Sequence, residues 1–230
     1  MLKTTLKKIY EDENVLVINK PVGLFVHRDN KGNPKNEDTL ADILLREYPA
    51  IAEVGEPFVS EGGLSIPRPG IVHRLDKDTT GVMIIAKNQD IFLNLKEQFK
   101  NREVAKTYQV IVHGVLKNDL GEIDYPIGRS RKDPRMRVAG NNVVGTVREA
   151  KTLYKTLERF KGYTLVEVKP QTGRTHQVRV HFKALGYPVV GDSLYSQGKS
   201  DLPGIKRQAL HAFSLEVSLP GFGKREFFAP

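Results

Sequence analysis

The apolar runs of this chain are short, and each is closed off by a turn residue. Residues 15–18 and 82–86 are among the longest, far below the roughly 20 needed to cross a bilayer. Brief β-branched runs bounded by glycine or proline are the pattern of strands, so the chain has to build a sheet. EDENVLVINKP (11–21) reads as a buried strand stopped by Pro21 and Gly23, and KTYQVIVHG (106–114) alternates and ends at Gly114. GYTLVEVKP (162–170) reads as another strand, as does REAKTLYKTLERF (148–160), although the latter pattern also fits a helix.

Helical spacing is found elsewhere. In DTLADILLREY (38–48), Leu40, Ile43, Leu44 and Tyr48 share a face behind Asp38 or Thr39 as N-cap, and in 88–104 Ile91, Leu95 and Phe99 do the same. Four prolines and four glycines make 49–70 a loop. TGRTHQVRVHFKALGYP (172–188) allows strand or helix; its ends decide for helix, with Thr175 as N-cap, Val178, Phe182 and Leu185 on one face, and Gly186 and Pro188 closing it. The expected fold is α+β: a mixed, mainly antiparallel sheet with flanking helices and loops, forming one domain over residues 1–230.

A formal charge of +9 favours a polyanionic partner, above all nucleic acid. The basic residues interrupt folded-looking segments, GRSRKDPRMRV (128–138) and GRTHQVRVHFK (173–183), as the lining of a charged groove would. A solvated loop is the competing reading of 128–138. The absence of cysteine excludes disulfides, thiolate zinc and a cysteine nucleophile. The opening MLKTTLKKIYEDE lacks the apolar stretch of a secretory signal, so a cytoplasmic protein with no membrane partner is expected.

Several chemistries are unsupported. His176 and His181, the closest of six histidines, would be separated by roughly 140° on a helix and cannot chelate one metal ion. GYPVVGDS (186–193) has phosphate-loop glycine spacing, but Asp192 stands where lysine should be. No G-x-S-x-G is present. His73 and His176 are expected to be structural. What remains is HRLDKDTTGV, where Asp76 lies between Arg74 and Lys77 in an otherwise buried-looking stretch. An unpaired carboxylate there costs several kcal/mol unless it is paired or used. Asp76 and Asp78 could form a glycosidase pair at about 5 to 9.5 Å, although Asp78 reads better as the cap of a turn.

The blocks RPGIVHRLDKDTTGVMIIAKN (68–88), KTYQVIVHG (106–114), VKPQTGRTHQVRVHFKALGYPVVGDSLY (168–195) and ALHAFSLEV (209–217), together with YEDENVLVINKPVGL (10–24), resemble the RluA family of RNA pseudouridine synthases. The resemblance implies that Asp76 is the catalytic aspartate, that Tyr108 packs on the target base, that Arg179 pairs with Asp76, and that Arg74 helps fill the space of a flipped nucleotide. Thr80 stands where the family usually has serine. Many relatives carry an N-terminal S4 RNA-binding domain, and with nine residues ahead of the first block none is expected here.

The expected activity is isomerisation of uridines in rRNA or tRNA, by a monomer and without metal or cofactor. Asp76 would attack C1′ or C6, or assist proton removal from the sugar. Arg129, Arg131, Lys132, Arg135, Arg137 and Arg174 are the candidate RNA contacts. An RNA-binding module without turnover is the rival.

Overall fold

A computed structural model describes residues 5–29, 34–60, 62–133, 135–140, 143–198 and 202–230. Residues 1–4 of the opening stretch, Glu61 of the 49–70 loop and Pro134 of the basic segment lie outside the described residues. The contacts divide the chain into two compact units, Met1–Ala105 with Phe213–Pro230, and Lys106–Ala212.

In the first unit β1 (Lys7–Glu11) pairs antiparallel with β2 (Val15–Lys20). Residues 15–18 are essentially inaccessible, as an apolar run without alternation requires. Helix α1 (Leu40–Glu47) starts at Thr39, whose hydroxyl accepts from Asp42 N while the Asp42 carboxylate accepts from Thr39 N, a capping box. Leu40, Ile43 and Leu44 are buried, the face expected from their spacing. The proline-rich segment forms a loop carrying two paired two-residue strands, β3 (Phe58–Val59) and β4 (Ser65–Ile66). Then β5 (Thr80–Ala86) pairs with β2 in a register running from Val15 opposite Ala86 to Lys20 opposite Gly81. Helix α2 (Gln89–Asn101), capped by Asn88, buries Ile91 and Leu95 as expected, together with Phe92 and Gln98.

The second unit is built on an antiparallel sheet. β6 (Ala105–His113) is followed by β7 (Leu120–Asp124), β8 (Ile127–Arg129), β9 (Arg137–Ala139), β10 (Val144–Arg148), β11 (Lys151–Phe160) and β12 (Tyr163–Pro170). The spatial order is β6-β12-β11-β7, with β10-β8-β9 as a separate three-stranded sheet. The ambiguous 148–160 segment is strand because β12 and β7 take its backbone groups from both sides.

Helix α3 (Gln177–Ala184) packs Val178 and Phe182 on Val110, Val112, Val166 and Val168. Its N-cap is His176 in the left-handed region (φ 58°), not the expected Thr175. The buried Gln177 side chain explains the shift: its Oε1 accepts from Thr172 Oγ1 (2.7 Å) and Arg174 N (3.0 Å), so the preceding turn is organised from inside the helix. The C-terminus follows the expected pattern. Gly186 at φ +85° lets its N–H reach Lys183 O and Tyr187 N–H reach Phe182 O, the two bonds of a Schellman motif.

The chain returns to the first unit in β13 (Leu210–Leu219), paired antiparallel with β14 (Gly223–Phe228). There the Gln98 side-chain amide donates to Ser218 O (2.7 Å) and accepts from Ser218 N (2.8 Å), docking α2 on β13 as a strand neighbour would. Among the described residues no helix is long and apolar enough to cross a membrane.

Candidate functional site

Asp76 lies in the irregular segment between the bridge of Ile71 to Ile85 and the start of β5. Leu75 and Thr79 are buried, at 5% and 2% exposure, and anchor the loop on either side of a half-buried Asp76. A turn closes at this point, with Thr79 N donating to Asp76 O at 3.2 Å. The loop is stapled to the end of β2 by Lys20, which is fully buried: its Nζ donates to Pro21 O, Leu24 O and Lys77 O, each at 2.9 Å, and Gly23 N donates to the same Lys77 O at 3.0 Å. His73 is structural, accepting from Ile84 N at Nε2 (3.1 Å) and stacking on Phe99 at 4.7 Å. Arg74, two residues before Asp76, is exposed, and its Nη1 lies 3.2 Å from His27 Nε2.

In the second unit Tyr108 stands on β6 opposite Val168 of β12, half-buried on the face that carries Val110 and Val112. Arg179 is buried in α3 and forms a two-point pair with Asp192, Nε to Oδ2 at 2.6 Å and Nη2 to Oδ1 at 2.9 Å. Asp192, fully inaccessible, also accepts from Leu194 N and Tyr195 N. The Tyr195 ring lies 5.1 Å from the guanidinium carbon, and its hydroxyl accepts from Arg137 N at 2.8 Å and meets His176 Nδ1 at 3.0 Å. A buried two-point pair fixes an arginine far more tightly than a surface ion pair.

Lys20 and His27 hold the segments of the candidates Asp76 and Arg74, and Asp192 and Tyr195 hold that of Arg179; none of the four is a candidate on sequence alone. The available signals were a lysine closing a strand whose first four residues are apolar and the very aspartate that spoiled the phosphate-loop spacing.

The basic candidates cluster around the β8–β9 hairpin. Arg129, Arg131, Lys132 and Arg135 are exposed; Arg137 is half-buried and directly opposite Arg129 in the ladder. Like charges facing each other across a strand pair repel, an arrangement that an anion between them relieves. Arg135 differs from the others, because Asp133 binds it at 2.7 Å and the guanidinium holds the Asp133 carboxyl down at about 2. Arg174 is half-buried, its Nε donating to Glu149 O at 2.9 Å. No group of three or more His, Cys, Asp or Glu among the described residues is arranged to hold a metal ion.

The family model for RNA pseudouridylate synthase matches residues 14–184, a span that includes Asp76, Tyr108 and Arg179. Ribosomal large subunit pseudouridine synthase D of Pseudomonas aeruginosa is 42% identical over 232 residues, covering 96% of this chain and 66% of that protein. An uncharacterized RNA pseudouridine synthase of Chloroflexus aurantiacus is 44% identical over 213 residues, covering 92% and 61%. The chain thus spans about two thirds or less of the length of these curated relatives. Among solved structures, Human RNA Pseudouridylate Synthase Domain Containing 1 superposes with a TM-score of 0.76 at 28% identity, over 98% of this chain and 83% of that one. With most of its length matched by the family model and a fold shared with a solved member, the chain belongs to the RNA pseudouridylate synthase family.

Proposed function

We propose that this protein converts uridine in RNA to pseudouridine, with Asp76 as the catalytic aspartate and ribosomal or transfer RNA as substrate. The observation that carries the reading is the family match across the HRLDKDTTG loop, in which Asp76 stands in a segment pinned by Lys20. The name of the Pseudomonas relative makes large-subunit rRNA the first RNA to test.

The reaction breaks the bond from N1 to C1′, turns the uracil and forms a bond from C5 to C1′; C5 releases its proton and N1 takes one up. Product and substrate are therefore isomers, with no redox change. A stacked base cannot present these atoms, so the uridine has to be flipped out. Asp76 attacks C1′ or C6 or assists loss of a sugar proton, and these routes stay open. Tyr108 offers a ring to the base and a hydroxyl close to the departing C5 proton. Arg179 is the arginine that the resemblance assigns to Asp76 as its charge partner. Arg74, Arg129, Arg131, Lys132, Arg135, Arg137 and Arg174 contact RNA.

The test is tritium release from large-subunit rRNA transcribed with uridine labelled at C5, checked by carbodiimide labelling and primer extension. Asp76→Asn is expected to abolish release while RNA affinity stays within a few-fold. Turnover near wild type would overturn the assignment of Asp76, and an absence of turnover in the wild type on RNA from a strain lacking the protein would favour a binding module.

A further inference from the structure

His27 is 6% exposed and bonded on both ring nitrogens: Nδ1 lies 2.7 Å from Arg28 O and Nε2 lies 3.2 Å from Arg74 Nη1. A carbonyl only accepts and a guanidinium only donates, so Nδ1 carries the hydrogen and Nε2 is the acceptor. This requires a neutral ring, and burial, reinforced by the nearby Arg74 and Arg68 charges, holds His27 down at about 4.

The histidine is itself fixed from the sequence upward. The first two free N–H groups of α1, on Leu40 and Ala41, donate to Phe25 O (2.8 Å) and Val26 O (3.0 Å). Arg28, on the other side, pairs with Asp42 at 3.0 Å and reaches Pro34 O. A helix terminus thus holds a loop, the loop holds an imidazole, and the imidazole holds Arg74 beside a cavity of about 380 Å³ that Phe25 and Lys77 also line.

We propose that His27 is a positioning residue for RNA recognition, holding the Arg74 guanidinium in the orientation in which it meets the RNA beside the target uridine. The inference rests on the reading of Arg74 as an RNA contact. A free arginine side chain gives up considerable rotamer freedom when it is immobilised in an interface. A guanidinium already held by a rigid acceptor gives up less, so the loss of that acceptor appears in affinity rather than in the chemical step.

The test is a double-mutant cycle in the full chain, on in vitro transcribed large-subunit rRNA. Filter-binding Kd is read whether or not turnover occurs, and KM and kcat are read by tritium release. His27→Leu is expected to raise Kd and KM about tenfold with kcat within about twofold. His27→Gln keeps an acceptor near the Nε2 position and recovers most of the loss. In an Arg74→Met background His27→Leu adds nothing further. An equal effect of His27→Leu with and without Arg74 would overturn the proposal, because the histidine would then act on the fold at large. No effect of Arg74→Met on Kd would overturn it together with the role of Arg74, while the role of Asp76 is judged separately by turnover.

Discussion

The ammonium of Lys20 and the carbonyl oxygen of Lys77 are 2.9 Å apart, and this contact ties the end of β2 to the residue that follows Asp76. An ammonium carries three donors, and the carbonyls of Pro21, Leu24 and Lys77 surround it. A buried cation is tolerated here because it organises two loops at once.

Lys20→Met keeps the stem and removes the donors, taking this partner from Pro21 O and Leu24 O and leaving Lys77 O with Gly23 N alone of the two. The expected loss is on the order of 2 to 3 kcal/mol of stability, measured by urea unfolding. With the segment beside Asp76 loosened, kcat is expected to fall tenfold or more in fully folded protein while Kd for RNA changes little. An unchanged kcat would show that Lys20 serves the fold alone.

The Arg179 pair yields a second prediction. Both partners are buried, so Asp192→Ala strands a guanidinium without its carboxylate and is expected to cost about 3 to 5 kcal/mol. Asp192→Asn keeps an oxygen for Leu194 N and Tyr195 N and falls between. Combining Arg179→Met with Asp192→Leu removes both charges and is expected to restore much of the stability without restoring turnover. Unfolding midpoints ordered otherwise would mean that the pair is not what holds α3 to the 189–196 segment.

How far the sequence reaches is visible at these same residues. Strands β2, β6 and β12 and all three helices were legible from local pattern: an unbroken apolar run for β2, alternation for β6 and β12, and helical spacing for the helices. The N-cap of α3 was not, because Gln177, inside the helix, overrides the Thr175 signal through bonds to Thr172 and Arg174. Lys20, His27 and Asp192 were illegible for a common reason: each owes its role to partners set by tertiary structure, and a polar residue in an apolar stretch does not announce its acceptor. Arg179 came from family resemblance with Asp76 as its partner; that its Nε and Nη2 edge belongs to Asp192 is information only the fold contains.

The β8–β9 hairpin separates the basic residues by how freely they can serve a phosphate. Removing Arg131 is expected to reduce the salt slope of RNA binding by about 0.7 to 1. Arg135→Ala is expected to do less, because its charge is shared with Asp133. Conversely, Asp133→Asn releases Arg135 and is expected to tighten RNA binding at low salt. Slopes for both arginine variants unchanged from wild type, measured by filter binding from about 50 to 300 mM salt, would place the hairpin tip away from the RNA.

Acid response follows from two of the buried histidines, His27 and His181. Burial lowers His181, whose Nε2 faces Tyr125 O (2.9 Å) and whose Nδ1 faces Thr152 Oγ1 (2.8 Å), and it lowers His27 from 6.5 to about 4. In the unfolded chain both titrate near 6.5. For His27 the unfolded state therefore binds more protons between about 4 and 6.5, so stability rises with pH across that window, and His181 acts in the same direction. The contribution is complete above 6.5, is lost as pH falls through the folded value, and is flat below it. His27 alone is expected to supply about 2 kcal/mol of this slope. Asp133, held at about 2, titrates below the window and does not mask it. Urea midpoints between pH 7 and pH 4.5 are expected to fall for the wild type and to fall less for His27→Gln, which has no proton to gain. Parallel curves for the two proteins would show that His27 takes up its proton as readily in the folded state as in the unfolded one, so that burial and the neighbouring arginines do not hold its imidazole neutral.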